Sequence, residues 1–122
     1  RDPANAADVI AVGGAQGATV AVRRLDQPVG ESTDLLISTV PAAAVQMQAS
    51  GWVDASAAIF DVIYDPWPTA LAKAAQDQGK SVISGLDLLA HQAVLQLDQM
   101  AHIDISAELL RAAALAQLDR SA

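Results

Sequence analysis

Short apolar, β-branched runs alternate with Ala- and Leu-rich segments along most of this chain. The clearest runs, residues 34–39, 58–64 and 81–84, are predicted strands, and each is followed by a segment with helical composition. Strands that alternate with helices of this length form right-handed βαβ units, whose strands lie parallel in one sheet. The sequence therefore predicts an α/β fold built on a parallel sheet.

The remaining predicted elements complete a series of four strands and five helices. Asp2 and Pro3 are typical of a helix N-cap and of the first helical position, and Ser106 is predicted to cap the final helix. The predicted helices cover residues 4–12, 41–50, 68–78, 86–100 and a segment ending at 118, and an additional strand is predicted at 18–22. With no internal repeat and no long linker, this pattern is typical of the later part of a doubly wound domain.

Composition narrows the classes of function. The chain has 122 residues, enough for one domain, and 52% of them are hydrophobic, which supports a packed core. The net charge of −7 opposes binding to phosphate backbones, so we expect no nucleic-acid partner. Cysteine is absent and no apolar run reaches the roughly 18 residues needed to cross a bilayer. We therefore expect a cytoplasmic protein with no membrane partner and no thiolate metal site.

The glycine-rich segment 13–17 resembles a dinucleotide-binding loop only superficially. Such a loop follows a strand and opens a helix. Here a helical pattern precedes Gly13 and Gly14, a β-branched run follows Gly17, and the spacing differs from G-x-G-x-x-G. We predict a helix C-cap and a tight turn into a strand instead.

Polar residues follow the predicted strands, where parallel sheets bind ligands. Asp61 and Asp65 flank Tyr64 and could form an acid–base pair. In the alternative interpretation, Asp61 bonds the backbone at the strand end and Asp65 starts a turn. We favour the turn for Asp65 and leave the role of Asp61 open.

Signals for metal or nucleophile chemistry are weak. His91 and His102 have no nearby carboxylate that would complete a ligand set, so we predict no metal site and interpret His91 as a polar helix residue. No Ser-His-Asp order and no cysteine nucleophile is present. Trp52 and Trp67 are interpreted as packing groups rather than stacking platforms.

Three segments, in order along the chain, resemble motifs of the shikimate dehydrogenases. Residues 60–71 resemble D-x-x-Y-x-P-x-x-T-P-L, residues 85–93 are similar to G-x-x-M-L-x-x-Q-A, and residues 34–41 resemble D-L-(L/V)-(I/V)-N-T-x-P. Two departures are mild: Leu88 replaces the Met, and Ala70 replaces the Pro after Thr. The resemblance implies a Rossmann-like cofactor domain and a hydride transfer between NADP and the C3 position of shikimate, in aromatic amino-acid biosynthesis.

The resemblance also implies roles for individual residues. Tyr64 and Gln92 match the two residues that contact the substrate, and a phenol and a carboxamide can each donate and accept hydrogen bonds to a polyhydroxy acid. The backbone at Val62 and Gly85 is expected to hold the nicotinamide amide, and Leu88 to pack beside it.

Two further positions are implied at the cofactor. Thr39 would lie beside it at a strand end. Arg1 falls where the family has the Arg that pairs with the adenosine 2′-phosphate, a role suited to a guanidinium fork; alternatively, it is only a terminal residue. Asn5 stands near the place of a second basic residue, which leaves NAD open as the cofactor.

Several family features have no counterpart in these 122 residues. The family's catalytic Lys and Asp lie in an N-terminal substrate domain, and its phosphate loop lies upstream of the position of Arg1. We therefore expect residues 1–122 to form the C-terminal part of the cofactor domain, lacking its first βαβ unit, with C-terminal helices and without catalytic residues. Such a chain would be inactive alone and would expose a sheet edge, leading to homo-oligomers or to association with the N-terminal part.

Two alternatives remain open for the function. The first is a related dehydrogenase that uses quinate or another polyol acid as its small-molecule substrate. The second is a non-catalytic interaction module that kept the fold and lost the chemistry.

Overall fold

The computed structural model describes residues 3–27 and 29–121. Its sheet contains three parallel strands in the order β1-β2-β3, namely β1 (Thr33–Ser38), β2 (Ser56–Asp61) and β3 (Ser81–Ser84). The strand β3 agrees with the prediction residue for residue. The predicted α/β class with a parallel sheet is confirmed.

In the described residues, one α-helix precedes the strands and four more connect or follow them. They are α1 (Ala7–Ala15), α2 (Ala49–Asp54), α3 (Ala70–Asp77), α4 (Gly85–Ala101) and α5 (Ala107–Ser121), with short 3-10 helices at Pro3–Ala6 and Ala42–Ala44. The amide of Leu109 donates to the Ser106 hydroxyl at 3.3 Å, which confirms the predicted cap of the last helix. The predicted cap at Asp2 lies outside the described residues.

The core lies on one face of the sheet, under α2 and α3. Ile59 of β2 is fully buried at its centre, and Leu36 and Val82 lie beside Ile59 in register on the neighbouring strands. The other buried members of this cluster are Val45, Ala49, Trp52, Val53, Leu71 and Ala75. Small alanines let the helices approach the sheet closely, as the Ala-rich composition requires.

The opposite face of the sheet carries exposed apolar side chains. Leu35, Ile37 and Ile83 are 43%, 54% and 46% exposed, because side chains alternate between the two faces along each strand. Parallel sheets are normally covered on both faces. We call Leu35, Ile37 and Ile83 the open face.

The predicted strand at residues 18–22 is wrong. Residues 18–24 have an irregular backbone, and nearly all of these side chains are exposed. β-Branched residues favour a strand only where a neighbouring strand provides ladder hydrogen bonds and packing. In the described part of the chain β1 pairs only with β2, so this segment has no strand to join.

The predicted helix at residues 41–50 is also wrong in its bounds. The chain forms a 3-10 turn at Ala42–Ala44, and α2 continues past Gly51 to Asp54. Trp52 and Val53 enter the core from this helix, and their burial outweighs the low helical propensity of glycine. Strand β2 correspondingly lies at 56–61, so Val62, Ile63 and Tyr64 form a loop rather than the end of a strand.

The glycine-rich segment ends a helix, as predicted, although Gly13 and Gly14 lie inside α1. Gly17 has a φ of 77°, the amide of Ala18 donates to the carbonyl of Gly13 at 2.9 Å, and that of Gly17 donates to Gly14 at 3.0 Å. These two bonds form a Schellman C-cap. The segment therefore has the geometry of a helix end and not of a phosphate-binding loop.

Candidate functional site

Three buried polar residues form a row at the carboxyl ends of the strands. Ser38, Asp61 and Ser84 are in register across β1, β2 and β3, and they are only 5%, 1% and 5% exposed. Parallel sheets bind ligands outside this edge, because the loops that follow the strands converge there. The residues after these three strand ends are therefore the candidate site.

Asp61 connects the end of β2 to the start of α3. Its Oδ2 accepts a 2.6 Å hydrogen bond from the Thr69 hydroxyl, and its Oδ1 accepts a 3.3 Å bond from the amide of Ile63. The exposed Asp65 lies in the following loop. Both oxygens of Asp61 are therefore engaged in holding the fold, which agrees with the interpretation that Asp61 bonds the backbone at the strand end.

Gly85 brings the start of α4 against the loop that follows β2. A Cβ at this position would lie 1.8 Å from the carbonyl oxygen of Val62 and 3.2 Å from Cδ1 of Tyr64. Only a residue without a side chain permits this approach. The structure thus brings together Val62, Tyr64 and Gly85, three of the residues predicted to form the site.

The N-terminus of α4 is closed by a capping box. The Ser84 hydroxyl accepts from the amide of Asp87 at 3.2 Å, and the Asp87 carboxylate accepts from the amide of Ser84 at 2.8 Å. This reciprocal pair satisfies two backbone donors that a helix start leaves free. It also fixes the orientation of the helix that carries Gly85.

Arg111 of α5 donates to the other oxygen of Asp87, linking the last helix to this end of α4. Partial burial acts to raise the pKa of Asp87. The hydrogen bonds from the Ser84 amide and hydroxyl and from Arg111 outweigh burial, so the pKa of Asp87 lies below its ordinary value. The carboxylate is therefore ionised at neutral pH.

Gln92 and Leu88 lie further along α4. Positions 85, 88 and 92 are three and seven residues apart, so they share one face of the helix. Leu88 is 37% exposed and Gln92 is exposed, so both are accessible to a ligand. Tyr64, at 39% exposure, presents its ring near the start of the same helix.

Thr39 lies at the same edge of the sheet, one strand away. It is exposed and lines a cavity of about 630 Å³ beside β1, together with Ser38 and Trp52. Within the described part of the chain, the buried Ser38 hydroxyl and the Trp52 indole N–H have no hydrogen-bond partner. Thr39 thus lines this cavity, whereas Tyr64 lines the second cavity, which is described next. Arg1 lies outside the described residues.

A second cavity, of about 350 Å³, separates the loop after β2 from α5. Tyr64, Asp65, Trp67, Ser84 and Leu86 form one side, and α5 contributes Arg111, Leu115, Leu118 and Asp119. No residue of α5 was among those that the sequence predicted for the site. The spacing of Ser84 and Asp87 is a capping-box signature that could have been recognised in the sequence; nothing in the sequence pairs Arg111 with it.

The residues that the structure describes form neither a metal-binding cluster nor a membrane-spanning helix. No group of three or more His, Cys, Asp or Glu side chains is arranged to hold a metal ion. No helix in the same ranges is both long and apolar enough to cross a membrane.

The parallel sheet, its helices and the polar row at its carboxyl edge define the Rossmann-like class of α/β cofactor domains. Solved structures of the same fold include a shikimate 5-dehydrogenase from Mycobacterium fortuitum, with a TM-score of 0.78 and 31% identity over 93% of this chain and 43% of that one. They also include the shikimate dehydrogenase of Mycobacterium tuberculosis, with a TM-score of 0.75 and 36% identity over 97% and 44% of the two chains.

Curated sequences agree with the structural comparison. A shikimate dehydrogenase (NADP(+)) of Gloeothece citriformis is 34% identical over 91 residues, which are 65% of this chain and 32% of that protein. One of Crocosphaera subtropica is 29% identical over 103 residues, covering 76% and 36%. No family model matches the chain.

The chain spans about a third of the length of these curated relatives and less than half of the solved ones. By sequence and by fold, it is homologous to part of the shikimate dehydrogenases.

Proposed function

We propose that this chain is the cofactor-side portion of an NADP-dependent shikimate dehydrogenase. The reaction would be the reversible reduction of 3-dehydroshikimate to shikimate in chorismate biosynthesis, in the cytoplasm. The names of the relatives, their dehydrogenase fold and three motif resemblances support this proposal. The expected partners are the small-molecule substrate and the remainder of the enzyme.

One observation carries the proposal, namely the close approach of Gly85 to Val62 with the Tyr64 ring beside them. Two segments that resemble family motifs meet there, although Val62 and Gly85 are 23 positions apart in the sequence. A ligand at this point would find backbone peptide groups, a phenol and the exposed Leu88 side chain. Ligand sites typically combine apolar surface with a few well-placed polar groups in this way.

This arrangement fits the nicotinamide end of the cofactor. Peptide groups of Val62 and Gly85 suit its carboxamide, and Leu88 offers an apolar surface for a planar ring. When bound, the cofactor would supply or accept the hydride. Tyr64 and Gln92 would bind and orient the hydroxyl groups of the substrate. For the adenosine end, the candidate Arg1 lies outside the described residues.

The lysines of this chain are engaged away from the candidate site. Lys73 pairs with Asp77 on the surface of α3, and Lys80 donates to the carbonyl of Val53 in α2 and to that of Ser56 at the amino end of β2. Neither is available to move a proton at the substrate. We therefore expect the 122-residue chain to show no turnover by itself.

The test is cofactor reduction with shikimate as the donor, using the longest natural polypeptide that contains this sequence. NADP and NAD are compared in parallel, quinate replaces shikimate in a second series, and the 122-residue chain is the control. Shikimate-dependent NADP reduction by the longer polypeptide alone is the expected result. No turnover with any combination would contradict the proposal and favour a non-catalytic relative, and quinate turnover alone would contradict the substrate.

A further inference from the structure

We propose that the buried Asp61–Thr69 pair is a positioning device that sets the place of the Val62 carbonyl and the Tyr64 phenol. The loop of residues 62–64 carries both groups and follows Asp61 directly. This inference deepens the proposed function and rests on it, since it gives two residues outside the predicted contacts a role in substrate binding.

The pair forms a continuous chain of hydrogen bonds from α3 to the loop. The amide of Ala72 donates to the Thr69 hydroxyl at 3.1 Å, and that hydroxyl donates to Asp61 at 2.6 Å. The amide of Ile63 donates to the other oxygen of Asp61 at 3.3 Å. Thr69 thus caps α3 and holds the carboxylate, and the carboxylate holds the middle residue of the loop.

Other contacts restrain the same loop on its remaining sides. The amide of Val62 donates to the carbonyl of Ser38 at 3.1 Å, which continues the ladder with β1. The start of α4 contacts the Val62 carbonyl through the space left by Gly85. The loop is therefore held by backbone contacts from two neighbouring elements, and from α3 by the Thr69 side chain through Asp61.

Loss of the Thr69 hydroxyl leaves a carboxylate oxygen without its donor at a residue that is only 1% exposed. A buried acceptor without a donor is unfavourable, so we expect the carboxylate to move toward solvent or toward another donor. Such a movement carries Ile63 with it, because the carboxylate binds the Ile63 amide. Tyr64 is the next residue, so its ring would leave its position beside Gly85.

If the Asp61–Thr69 pair only stabilised the fold, its loss would lower stability without moving Tyr64. The test therefore needs a signal that reports on the position of the Tyr64 ring. Tyr64 is the chain's single tyrosine, so incorporation of 3-fluorotyrosine gives one ¹⁹F signal at this site. The matched control is Ser56→Ala. The Ser56 hydroxyl is equally buried and donates to the Trp52 carbonyl at 2.7 Å, at the opposite end of β2.

In the 122-residue chain, Thr69→Val is expected to shift or broaden the ¹⁹F signal beyond its linewidth. Thr69→Ser, which keeps the hydroxyl, and Ser56→Ala are expected to leave it unchanged. If Thr69→Val does not fold, Asp61→Ala, which removes both acceptor oxygens, is used, and the same displacement of the signal is expected. An unmoved signal in a folded Thr69→Val or Asp61→Ala chain overturns the proposal whether or not the protein acts on shikimate.

The longer polypeptide gives the functional counterpart. Thr69→Val is expected to raise KM for shikimate about five- to tenfold, because misplacing an orienting group weakens binding of the substrate. Thr69→Ser should restore KM to within about twofold, and Ser56→Ala should lower Tm without changing KM. Equal KM values for Thr69→Val and Ser56→Ala overturn the positioning role, whereas a wild-type protein without turnover contradicts only the proposed function.

Discussion

At Gly85, a Cβ built on the backbone lies 1.8 Å from the carbonyl oxygen of Val62 and 2.5 Å from its carbonyl carbon. Backbone atoms cannot rotate away as a flexible side chain can, so Gly85→Ala must displace the loop or the start of α4. We expect a loss of about 1–3 kcal/mol in the free energy of unfolding, as for overpacked sites. Urea denaturation of the 122-residue chain measures it.

Gly51→Ala is the matched control, because Gly51 also lies in a helix and a Cβ there meets nothing within 4 Å. This variant is expected to gain about 0.5–1 kcal/mol from its greater helical propensity. Equal stability changes in the two variants would contradict the close contact at Gly85.

Tyr64 and Gln92 are predicted to contact the substrate, so Tyr64→Phe and Gln92→Ala test this assignment. In the longest natural polypeptide, each should raise KM for shikimate and lower kcat, together about tenfold or more in kcat/KM, as expected when a buried substrate hydroxyl loses its partner. Gln76→Ala, an exposed glutamine on α3, is the control. Unchanged kinetics for both site variants would refute the assignment.

Among the elements, Lys80 joins α2 to β3. Its ammonium group donates to the Ser56 carbonyl at 2.7 Å and to the carbonyl of Val53 in the last turn of α2. A cation at a helix C-terminus satisfies free carbonyls and interacts favourably with the helix dipole. Lys80→Met is therefore expected to cost about 1.5–3 kcal/mol of stability, measured by urea denaturation.

The control for this substitution is Lys73→Met. Lys73 pairs with Asp77, but both side chains are about two-thirds exposed, at 65% and 63%. Exposed pairs contribute roughly 0–1 kcal/mol, so this variant should be close to wild type. A similar loss in both variants would argue against a special role for Lys80.

The start of α4 should confer a pH dependence on stability. The pKa of Asp87 is lowered in the folded chain from an ordinary value of 3.8. A lowered folded pKa means that ionised Asp87 stabilises the fold above the unfolded value, and this contribution is lost as the pH falls through the folded one. The difference in unfolding free energy between wild type and Asp87→Asn should therefore be largest near neutral pH and shrink below about pH 4.

Urea denaturation between neutral pH and the lowest pH at which both proteins fold measures this difference. Asp77→Asn, at an exposed position, should follow the wild-type curve throughout. A constant difference between wild type and Asp87→Asn at every pH would contradict the assigned role of the carboxylate.

The elements that the sequence predicted well are those whose signals are local. Strand β3 begins shortly after Gly79 and ends at Ser84, the serine that caps α4, and both features can be recognised from neighbouring residues. Residues 18–22 have an equally β-branched composition but no partner strand in the described chain. They form no strand, because β-branched residues favour a strand only where a neighbouring strand can pair with them. The predicted end of a helix at residue 50 was wrong for a related reason, because burial of Trp52 and Val53 in the core extends α2 past Gly51.

At the scale of the whole molecule, the sequence predicted that polar residues would meet at one edge of the sheet, and Ser38, Asp61 and Ser84 do so in register. The sequence could not predict that Thr39 and Tyr64 line different cavities. Which cavity each residue lines depends on which strand is outermost in the sheet. The link from Arg111 to Asp87 was also invisible, since it joins two helices by a contact between residues 24 positions apart.

The open face of Leu35, Ile37 and Ile83 is expected to make the 122-residue chain self-associate. Ile37 lies opposite Phe60, and Phe60 opposite Ile83, so the apolar side chains form a row across all three strands. β1 is also an edge strand in the described chain, with one side of its backbone free to pair. Sedimentation velocity over about a hundredfold range of concentration measures the association, which should increase with concentration as mass action requires.

Ile37→Lys places a charge at the β1 end of this row, on its most exposed apolar side chain, and should shift the chain toward monomer. Met47→Lys is the control, because Met47 is 94% exposed and lies outside the sheet. A monomeric wild type, or equal effects of both substitutions, would contradict association through the open face. The solved relatives are more than twice as long as this chain, so we expect further polypeptide to compete for the same surface. In the longest natural polypeptide Ile37→Lys should therefore lower stability rather than change the oligomeric state, because a surface covered within one chain cannot also bind a second copy.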